Sequence, residues 1–475
     1  MSAELTLGQA LARFAAGTDY ATLPSAVADS VKMRVLDTLG ICVAASTLST
    51  SASARAFAGD QGGTEQSHAV GVAGRMPATV AGFVNGVLAH SLDYDDTHLP
   101  SVLHPSASVV PASLAAAEAT GADGAATIAA IAVGLEVCVR TGMAGYDAAS
   151  GTSVFFEHGQ HATSICGALG SAVAAGMLYG FDEDGILHSL GLAASMAAGI
   201  IEANRTGGTV KRMHCGWAAH AGIAAAQLAL HGFTGPPTVL EGRFGFFEAW
   251  LHGQFDPAAI TDQLGETWSV PGIFFKPYPA NHFTHTVIDG ALALRQQGLT
   301  ADDVDHIEVG VPASIVRTIG EPIDVKRRPD TGYMAQFSGP YAVAAGLFGG
   351  SGLGVGLDDF TDELARDPER RRLMAKVTVV ADEECTAIFP HQFPAVLRVR
   401  ATDGREIVEK VLTNRGGPQR PLSYAELATK FADNAGRLLP DTTVDDVQSA
   451  VAGLDALDDV SALLTPLAVP LTIKP

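Results

Sequence analysis

Small residues at helical spacing constrain the fold of this chain more than any other feature. From the start to about residue 265, segments rich in Ala, Leu, Val and Gly follow one another, separated by Gly, Pro and Asp. In the run 167–176 small residues recur at every third or fourth position, which favours close packing of helices. The predicted helical segments are 25–47, 77–92, 106–120, 124–142, 162–179, 183–203, 214–231 and 236–252, preceded by an amphipathic helix within 1–17.

The pattern changes near Pro271, where alternating segments replace the continuous helices. Helices are predicted at 284–297 and 335–348, strands at 306–311 and 376–380, and a β-hairpin over 395–412 that turns at Asp403-Gly404. After residue 418 helical patterns return at 423–437, 443–454 and 458–465. The expected fold is mainly α with an inserted α+β domain. The expected limits are 1–268 and 414–475 for the helical domain and 269–413 for the smaller one.

Composition narrows the class of protein. Hydrophobic residues make up 47% and charged residues 17% of 475, so much of each helix is expected to face other protein. The formal charge of −21 argues against nucleic acid and anionic membrane surfaces as partners. Five widely separated cysteines suggest neither disulfides nor a cysteine-built metal site. The N-terminus lacks a basic, signal-like region, and the apolar run 128–139 is interrupted by Gly134 and Glu136. We therefore predict no membrane span and a cytoplasmic location.

Acidic and imidazole side chains crowd into one break between helices, at 90–108. Such crowding is costly because like charges and desolvation shift pKa values, and it is typical of proton chemistry or ion binding. The alternative is an acidic surface loop with a histidine at a helix cap. The crowded residues are Asp93, Asp95, Asp96, Thr97, His98 and His104.

Cationic side chains also recur where helices are predicted to begin. A helix N-terminus presents free N–H groups and partial positive charge, so a basic residue there favours anion binding. For any single histidine the alternative is a capping or core role. The four positions are His104, His161, the Lys211-Arg212-Met-His214 segment, and the segment from Lys276 to His285. The Gly-rich stretch 349–356 does not fit a nucleotide-binding loop, because it follows a helix and its glycine spacing differs.

Taken together, these motifs resemble those of the MmgE/PrpD family in order and over nearly the whole chain. That family includes 2-methylcitrate dehydratase, cis-aconitate decarboxylase and iminodisuccinate epimerase. The resemblance implies a large all-helical domain built from both chain ends, a smaller α+β lid domain, and assembly as a homodimer. The matching segments are 89–98, 104–106, 211–219, 276–279 with 284–285, 335–342, and 416–423.

The resemblance implies chemistry through a carbanion beside a carboxylate, which needs acid and base groups and stabilisation of the enediolate. It implies no cofactor and no metal, although Asp93, Asp95 and Asp96 form an oxygen-rich cluster that could take Mg²⁺. The substrate is then a small carboxylic acid. The residues expected to be catalytic are Asp93, His104, His161 and Lys211. Those expected to bind substrate are Thr97, Lys276, Arg212, His214 and His285.

The reaction expected first is dehydration of a 2-methylcitrate-like hydroxy acid by a cofactor-independent hydro-lyase. Epimerisation of a dicarboxylate such as iminodisuccinate is the close alternative. Decarboxylation of cis-aconitate is disfavoured because Asn281 stands where that branch carries a histidine, and because Asp95-Asp-Thr-His98-Leu differs from its motif. A carboxylate-binding protein without turnover and a metal-dependent hydrolase are the alternatives from other functional classes.

Overall fold

The computed structural model of the chain describes residues 5–203 and 207–472. Its mainly α fold with a smaller α+β part confirms the predicted fold class. Contacts divide the chain into two compact units, Met1–Ile273 with Asn434–Pro475, and Phe274–Asp433. The second contact unit extends past residue 414, because Arg415 pairs with Glu426 at 2.7 Å and contacts the Tyr278 hydroxyl at 3.3 Å. The domain limits expected from sequence stay a prediction.

The first unit is helical, with two short antiparallel strand pairs, Ser67–His68 with Arg75–Met76 and Tyr146–Asp147 with Thr152–Ser153. The helices before residue 273 are Leu7–Ala16, Ser25–Ala45, Ser49–Gln61, Ala78–Ala89, Ser106–Thr120, Gly124–Ala144, Val154–Glu157, Ala162–Leu178, Glu183–Met196, Val210–Leu230, Phe246–Leu251 and Ala258–Thr261. Those near the C-terminus are Asp441–Ala452 and Ser461–Leu464, while Tyr424–Ala435 contains the boundary between the units.

Two predicted helices are shorter than the sequence pattern suggested, and a third, at the N-terminus, lies partly outside the described residues. The helix predicted at 236–252 was wrong over its first half, where prolines and glycines produce turns closed by bonds such as Gly242 N–H to Thr238 O at 2.8 Å. The helix predicted at 183–203 ends at Met196. Of the predicted N-terminal helix, residues 1–4 lie outside the described residues, and Thr6 caps the part that begins at Leu7.

Glycines let the helices of this unit approach closely, as the small-residue pattern predicted. The helices Gly124–Ala144 and Ala162–Leu178 touch at Gly134 and Gly170, where a Cβ built on Gly134 would lie 2.8 Å from the Gly170 carbonyl oxygen. A Cβ on Gly86 would lie 2.8 Å from the Cys215 carbonyl oxygen on the helix Val210–Leu230. These contacts leave no room for a side chain, so they fix the relative positions of the helices that carry the candidate site.

The apolar helix Gly124–Ala144 corrects one expectation. Gly134 and Glu136 do not interrupt it, because buried Glu136 pairs with Arg140 at 2.7 Å and accepts the Ser269 N–H at 2.6 Å. Its 21 residues are long and apolar enough to cross a membrane, so the predicted shortness was wrong. However, 89% of its most apolar stretch is buried inside the protein, as in a core helix. Among the described residues one bent helix pair, Ser25–Ala45 with Ser49–Gln61, passes the same test jointly.

The second unit contains a four-stranded mixed sheet. Val304–Val311 pairs in parallel with Val377–Ala381 and antiparallel with Ala395–Ala401, which forms the predicted hairpin with Glu406–Val411. Gly404 has a φ of 87°, which suits the predicted Asp403-Gly404 turn. Its helices are His285–Gln296, Ala313–Ile319, Ile323–Lys326, Gly332–Ala335, Gly339–Phe348, Asp362–Arg366, Pro368–Met374 and Glu383–Ile388.

The glycine-rich loop 349–356 surrounds the side-chain carboxylate of Asp359. The Asp359 carboxylate accepts the Gly356 N–H at 2.9 Å and the Ser351 hydroxyl at 2.8 Å. The N–H groups of Gly350 and Ser351 approach the same carboxylate at 3.4 Å. The Asp359 carboxylate therefore accepts hydrogen bonds from the N–H groups that would otherwise bind a phosphate.

Candidate active site

A buried ion pair holds the acidic segment between the helices Ala78–Ala89 and Ser106–Thr120. Arg34 contacts the Asp96 carboxylate at 2.6 Å and donates to the carbonyl oxygens of Val270 and Ile273 at 2.9 and 2.8 Å. The same carboxylate accepts the Ser106 backbone N–H at 3.2 Å and the Ser106 hydroxyl. Since every one of these groups is buried, Asp96 anchors the segment and is not an acidic surface residue.

His104 lies at the end of this segment and is oriented through Nδ1. That nitrogen is 2.7 Å from the Asp96 carbonyl oxygen and 3.3 Å from the Thr97 hydroxyl. Because a carbonyl only accepts, Nδ1 carries the proton and neutral His104 has its acid–base lone pair on Nε2. The Asp95 carboxylate lies 3.9 Å from Nδ1, and the His104 backbone N–H donates to the Thr163 hydroxyl at 3.2 Å.

His161 is the N-cap residue of the helix Ala162–Leu178, and His214 lies in the first turns of Val210–Leu230. Their Nδ1 atoms are 2.9 Å apart, so one nitrogen donates a hydrogen bond and the other accepts it. Two imidazolium rings cannot make this contact, because both Nδ1 atoms would then carry protons. Burial lowers the pKa of His214 to about 4 and lowers the pKa of His161 well below its ordinary value.

Neighbouring basic side chains also lower the pKa of His161. After burial, the largest causes of its lowered pKa are His90, then His214, Lys211 and His104. Lys211 likewise lowers the pKa of His214. The structure therefore brings together Thr97, His104, His161, His214 and Lys211, which the sequence had assigned to one site.

His90 is the residue of this cluster that the sequence assignment missed. Its ring centroid lies 5.3 Å from that of His104 and 5.6 Å from that of His161. Its Nδ1 contacts the Asp95 carboxylate at 2.6 Å. The signal was present in the sequence, because His90 begins the crowded segment, but its position just after an apolar helix also fitted a simple helix end.

The other predicted residues of the first unit have distinct surroundings. Asp93 adopts a φ of 53°, the left-handed region that aspartate tolerates better than most residues and that is common at functional sites. Arg212 contacts the Thr50 hydroxyl at 3.3 Å, on the neighbouring helix Ser49–Gln61. In the described residues no group of three or more His, Cys, Asp or Glu side chains is arranged to hold a metal ion. Asp95 and Asp96 have separate partners, His90 for Asp95 and Arg34 for Asp96.

Lys276 and His285 belong to the second unit. Lys276 is buried, and its carbonyl oxygen accepts a hydrogen bond from Lys430 Nζ at 2.8 Å. His285 Nε2 lies 3.1 Å from the Ala280 carbonyl oxygen, and its ring lies 4.6 Å from that of buried His282. The two imidazoles thus form a pair at the start of the helix His285–Gln296.

The first unit therefore carries a cluster of largely buried imidazoles on a mainly helical scaffold. The chain belongs to the MmgE/PrpD family, since residues 9–258 match the MmgE/PrpD N-terminal domain and residues 278–456 match the MmgE/PrpD C-terminal domain. This confirms the resemblance seen in the sequence motifs.

Relatives with named activities are similar over most of the chain. A cis-aconitate decarboxylase of Homo sapiens is 31% identical over 408 residues, 83% of this chain and 80% of the relative. The Mus musculus cis-aconitate decarboxylase is 30% identical, covering 82% of this chain and 78% of the relative. A cis-aconitate decarboxylase of Aspergillus terreus is 27% identical, covering 84% and 83%.

Proposed function

We propose that this protein is a cofactor-independent lyase that forms a carbanion next to a carboxylate of a small polycarboxylic acid. The observation that supports this most is the group of four neighbouring imidazoles, His90, His104, His161 and His214, beside the Asp95 carboxylate. Proton transfer to or from carbon needs groups that change protonation near neutral pH, and histidine is the usual choice.

The charges of the site suit an anionic substrate. The half-buried Lys211 lies close enough to lower the pKa of two histidines, and a lysine in such a position would neutralise a substrate carboxylate and its enediolate. Neutral His161 would donate a hydrogen bond to the developing negative charge, as an imidazole at a helix N-terminus can do. We assign His104 to proton transfer through Nε2, with Asp93 and Thr97 lining the same pocket.

Decarboxylation of a cis-aconitate-like acid is the first candidate reaction. The relatives named above support it, although identities of 27–31% leave the substrate open. Loss of CO₂ leaves an electron pair on carbon, which a protonated imidazole then quenches. The expectation from sequence placed dehydration first, and these similarities change that order.

Dehydration of a 2-methylcitrate-like acid remains the second candidate because of Asn281. Its side-chain oxygen accepts the Phe283 N–H at 3.1 Å, and its own N–H donates to the Gln336 carbonyl oxygen at 3.0 Å. A residue that caps a turn in this way cannot replace a histidine in proton transfer. Epimerisation of a dicarboxylate requires two bases and is a further outcome that the same experiment detects.

Proton NMR in D₂O tests the proposal with cis-aconitate, 2-methylcitrate, citrate and iminodisuccinate as separate probes. We expect deuterium to enter a carbon beside a carboxylate, and the accompanying product to identify decarboxylation, dehydration or epimerisation. The variants His104→Ala and His161→Ala should lose this exchange by about 10²- to 10⁴-fold. His158→Ala is the matched control, because His158 is exposed and outside the imidazole cluster.

Absence of exchange with every probe, while saturation-transfer contacts show binding, would contradict catalysis and favour a carboxylate-binding protein. Unchanged exchange in His104→Ala would contradict the assignment of His104. Loss of activity after chelation, restored by a metal, would favour a metal-dependent hydrolase instead.

We also propose that the protein acts as a cytoplasmic homodimer. One face of the helix Val210–Leu230 exposes 42% of Val210, 37% of Met213 and 37% of Trp217, an apolar surface that a second copy could cover. Light scattering during gel filtration tests this proposal. A monomer at micromolar concentration would contradict it.

A further inference from the structure

His90 occupies a rigid and electrostatically distinctive position. It is the C-cap residue of the apolar helix Ala78–Ala89, and its backbone N–H donates to the Gly86 carbonyl oxygen at 3.3 Å. The C-terminal end of a helix carries partial negative charge from its unpaired carbonyl groups, which favours a protonated imidazole. Only 4% of His90 is exposed, so water screens this interaction poorly.

Asp95 adds a full negative charge to the same ring. Its Oδ2 lies 2.6 Å from His90 Nδ1, and 96–97% of each of these two residues is removed from solvent by surrounding protein. A carboxylate accepts but does not donate, so Nδ1 carries a proton and the lone pair of neutral His90 is on Nε2. This is the arrangement by which a carboxylate sets the tautomer of a general base and then stabilises its protonated form.

The second ring nitrogen is left for a ligand. His90 Nε2 is buried and has no hydrogen-bond partner within residues 5–203 and 207–472. Buried nitrogen atoms of this kind normally have a partner, and an exception calls for an explanation. The ring centroids of His104 and His161, 5.3 and 5.6 Å away, place the His90 ring within the cluster to which we assign proton transfer.

We propose that His90 is a further catalytic residue, whose Nε2 exchanges the proton with the carbon next to the substrate carboxylate while Asp95 stabilises the imidazolium. The inference rests on the proposed function and deepens it. In one direction the C–H bond breaks, its electron pair stays on carbon and passes into the enediolate, and an N–H bond forms at Nε2. In the other direction the Nε2–H bond breaks and its proton quenches the carbanion left by CO₂ loss.

The groups around His90 support this division of roles. Asp95 and His104 face it from its own segment, His161 from the start of the helix Ala162–Leu178, and Lys211 and His214 lie on the helix Val210–Leu230. Among these groups Asp95 is the anion, and it contacts His90. His161 instead faces His214 and a helix N-terminus, where the helix dipole disfavours a protonated ring.

Two amide variants separate a catalytic from a structural role. In His90→Asn the amide nitrogen takes the place of Nδ1 and keeps the bond to Asp95, but Nε2 is gone. In His90→Gln the amide reaches the place of Nε2 but cannot take up a proton. We expect both variants to fold and to lose kcat by about 10²- to 10⁴-fold, with KM changed much less.

A purely structural role predicts a different order, in which His90→Asn retains nearly full activity and only His90→Gln loses it. That order would overturn the proposal. Thermal unfolding checks that both variants are folded, and His158→Asn controls for the loss of any histidine. Wild-type protein that acts on none of the four probes contradicts the proposed function. Active wild-type protein with an active His90→Asn variant contradicts the role of His90 alone.

A measurement without substrate tests the tautomer directly. In protein labelled with ¹⁵N-histidine, long-range proton–nitrogen correlations distinguish Nδ1–H from Nε2–H rings, and the signal missing in His90→Asn identifies His90. We expect Nδ1–H for neutral His90, because the Asp95 carboxylate accepts from that nitrogen. An Nε2–H ring would overturn the proposal.

Discussion

Two histidines of one cluster lie at opposite ends of helices, and their surroundings differ accordingly. His90 follows the C-terminal end of Ala78–Ala89 and contacts a carboxylate, whereas His161 precedes the N-terminal end of Ala162–Leu178 and contacts another imidazole. The helix dipole favours a cation at the first position and disfavours it at the second. The same type of side chain therefore has a carboxylate partner in one place and an imidazole partner in the other.

The comparison also shows why histidine content alone does not identify the base. His104 is intermediate between the two, since its Nδ1 bonds to a carbonyl oxygen at 2.7 Å and has Asp95 at 3.9 Å. At that separation in a partly screened environment, a carboxylate stabilises an imidazolium less than at 2.6 Å. The distance to Asp95 therefore distinguishes the surroundings of His90 from those of His104.

After the histidine variants, the largest expected effect is that of Asp95→Asn, which removes the charge that distinguishes the surroundings of His90 from those of His161. We expect kcat for the active probe to fall by about 10²- to 10³-fold, because a neutral amide does not stabilise an imidazolium. Steady-state kinetics measures the loss, and Asp305→Asn on the exposed face of the sheet is the control. Full activity in Asp95→Asn would remove the basis of the comparison.

A smaller effect is expected from the packing that positions His161. In Gly170→Ala the new methyl group would collide with the Gly134 carbonyl oxygen, and backbone cannot move aside cheaply. We expect a loss of about 1–3 kcal/mol in the free energy of unfolding, measured with urea. The control Gly59→Ala lies in an open helical position and should be neutral or gain up to about 1 kcal/mol. Equal stability of the two variants would contradict the close approach of these helices.

Much of this architecture could be predicted because it depends on local periodicity. The helix Ser106–Thr120 has the predicted limits, and the hairpin turns at Asp403-Gly404 as its dipeptide indicates. The prediction failed where chain direction is set by turns, as between Pro236 and Gly245, or where a buried charge has a distant partner. Glu136 interrupts the apolar pattern in the sequence, but in the structure its buried carboxylate pairs with Arg140 and accepts the Ser269 N–H.

The sequence indicated many residues of the candidate site, but it did not indicate which of them contact each other. The crowded segment predicted that Asp95, Asp96 and His104 lie close together, yet no spacing rule indicates that Asp96 pairs with Arg34, sixty-two positions earlier. The same holds for the contact between His161 and His214, which brings two helix beginnings together. His90 was missed because its surroundings depend on where the helix ends and which carboxylate faces it, and both are properties of the folded chain.

Low pH should reduce the free energy of unfolding, because the folded protein keeps His161 and His214 neutral. Their pKa values are lower in the folded protein, to about 4 for His214, than the value near 6.5 expected when unfolded. The unfolded state therefore binds more protons below about pH 6.5. This contribution to stability is complete above that pH and is lost as pH falls toward 4, by about 1.4 kcal/mol per pH unit for each histidine.

Urea unfolding between pH 7.5 and 4.5 measures this slope. In His214→Asn, one of the two contributions disappears, so the dependence on pH should become shallower by up to about 1.4 kcal/mol per unit. His158→Asn is the matched control, because that ring is exposed and lies outside the imidazole cluster. An identical slope in wild-type protein and His214→Asn would show that His214 takes up a proton in the folded state.

The smallest expected effect concerns Lys211 and the two neutral histidines, His161 and His214. Lys211 lowers the pKa of both His161 and His214, so Lys211→Met should raise both values, because a positive charge that disfavours their protonation is removed. Histidine NMR titrations measure both rings, with Lys410→Met on the exposed hairpin as control. Unchanged pKa values at both rings would contradict the placement of Lys211 beside them, and the assignment of a neutral His161 next to a carboxylate-binding lysine would be lost.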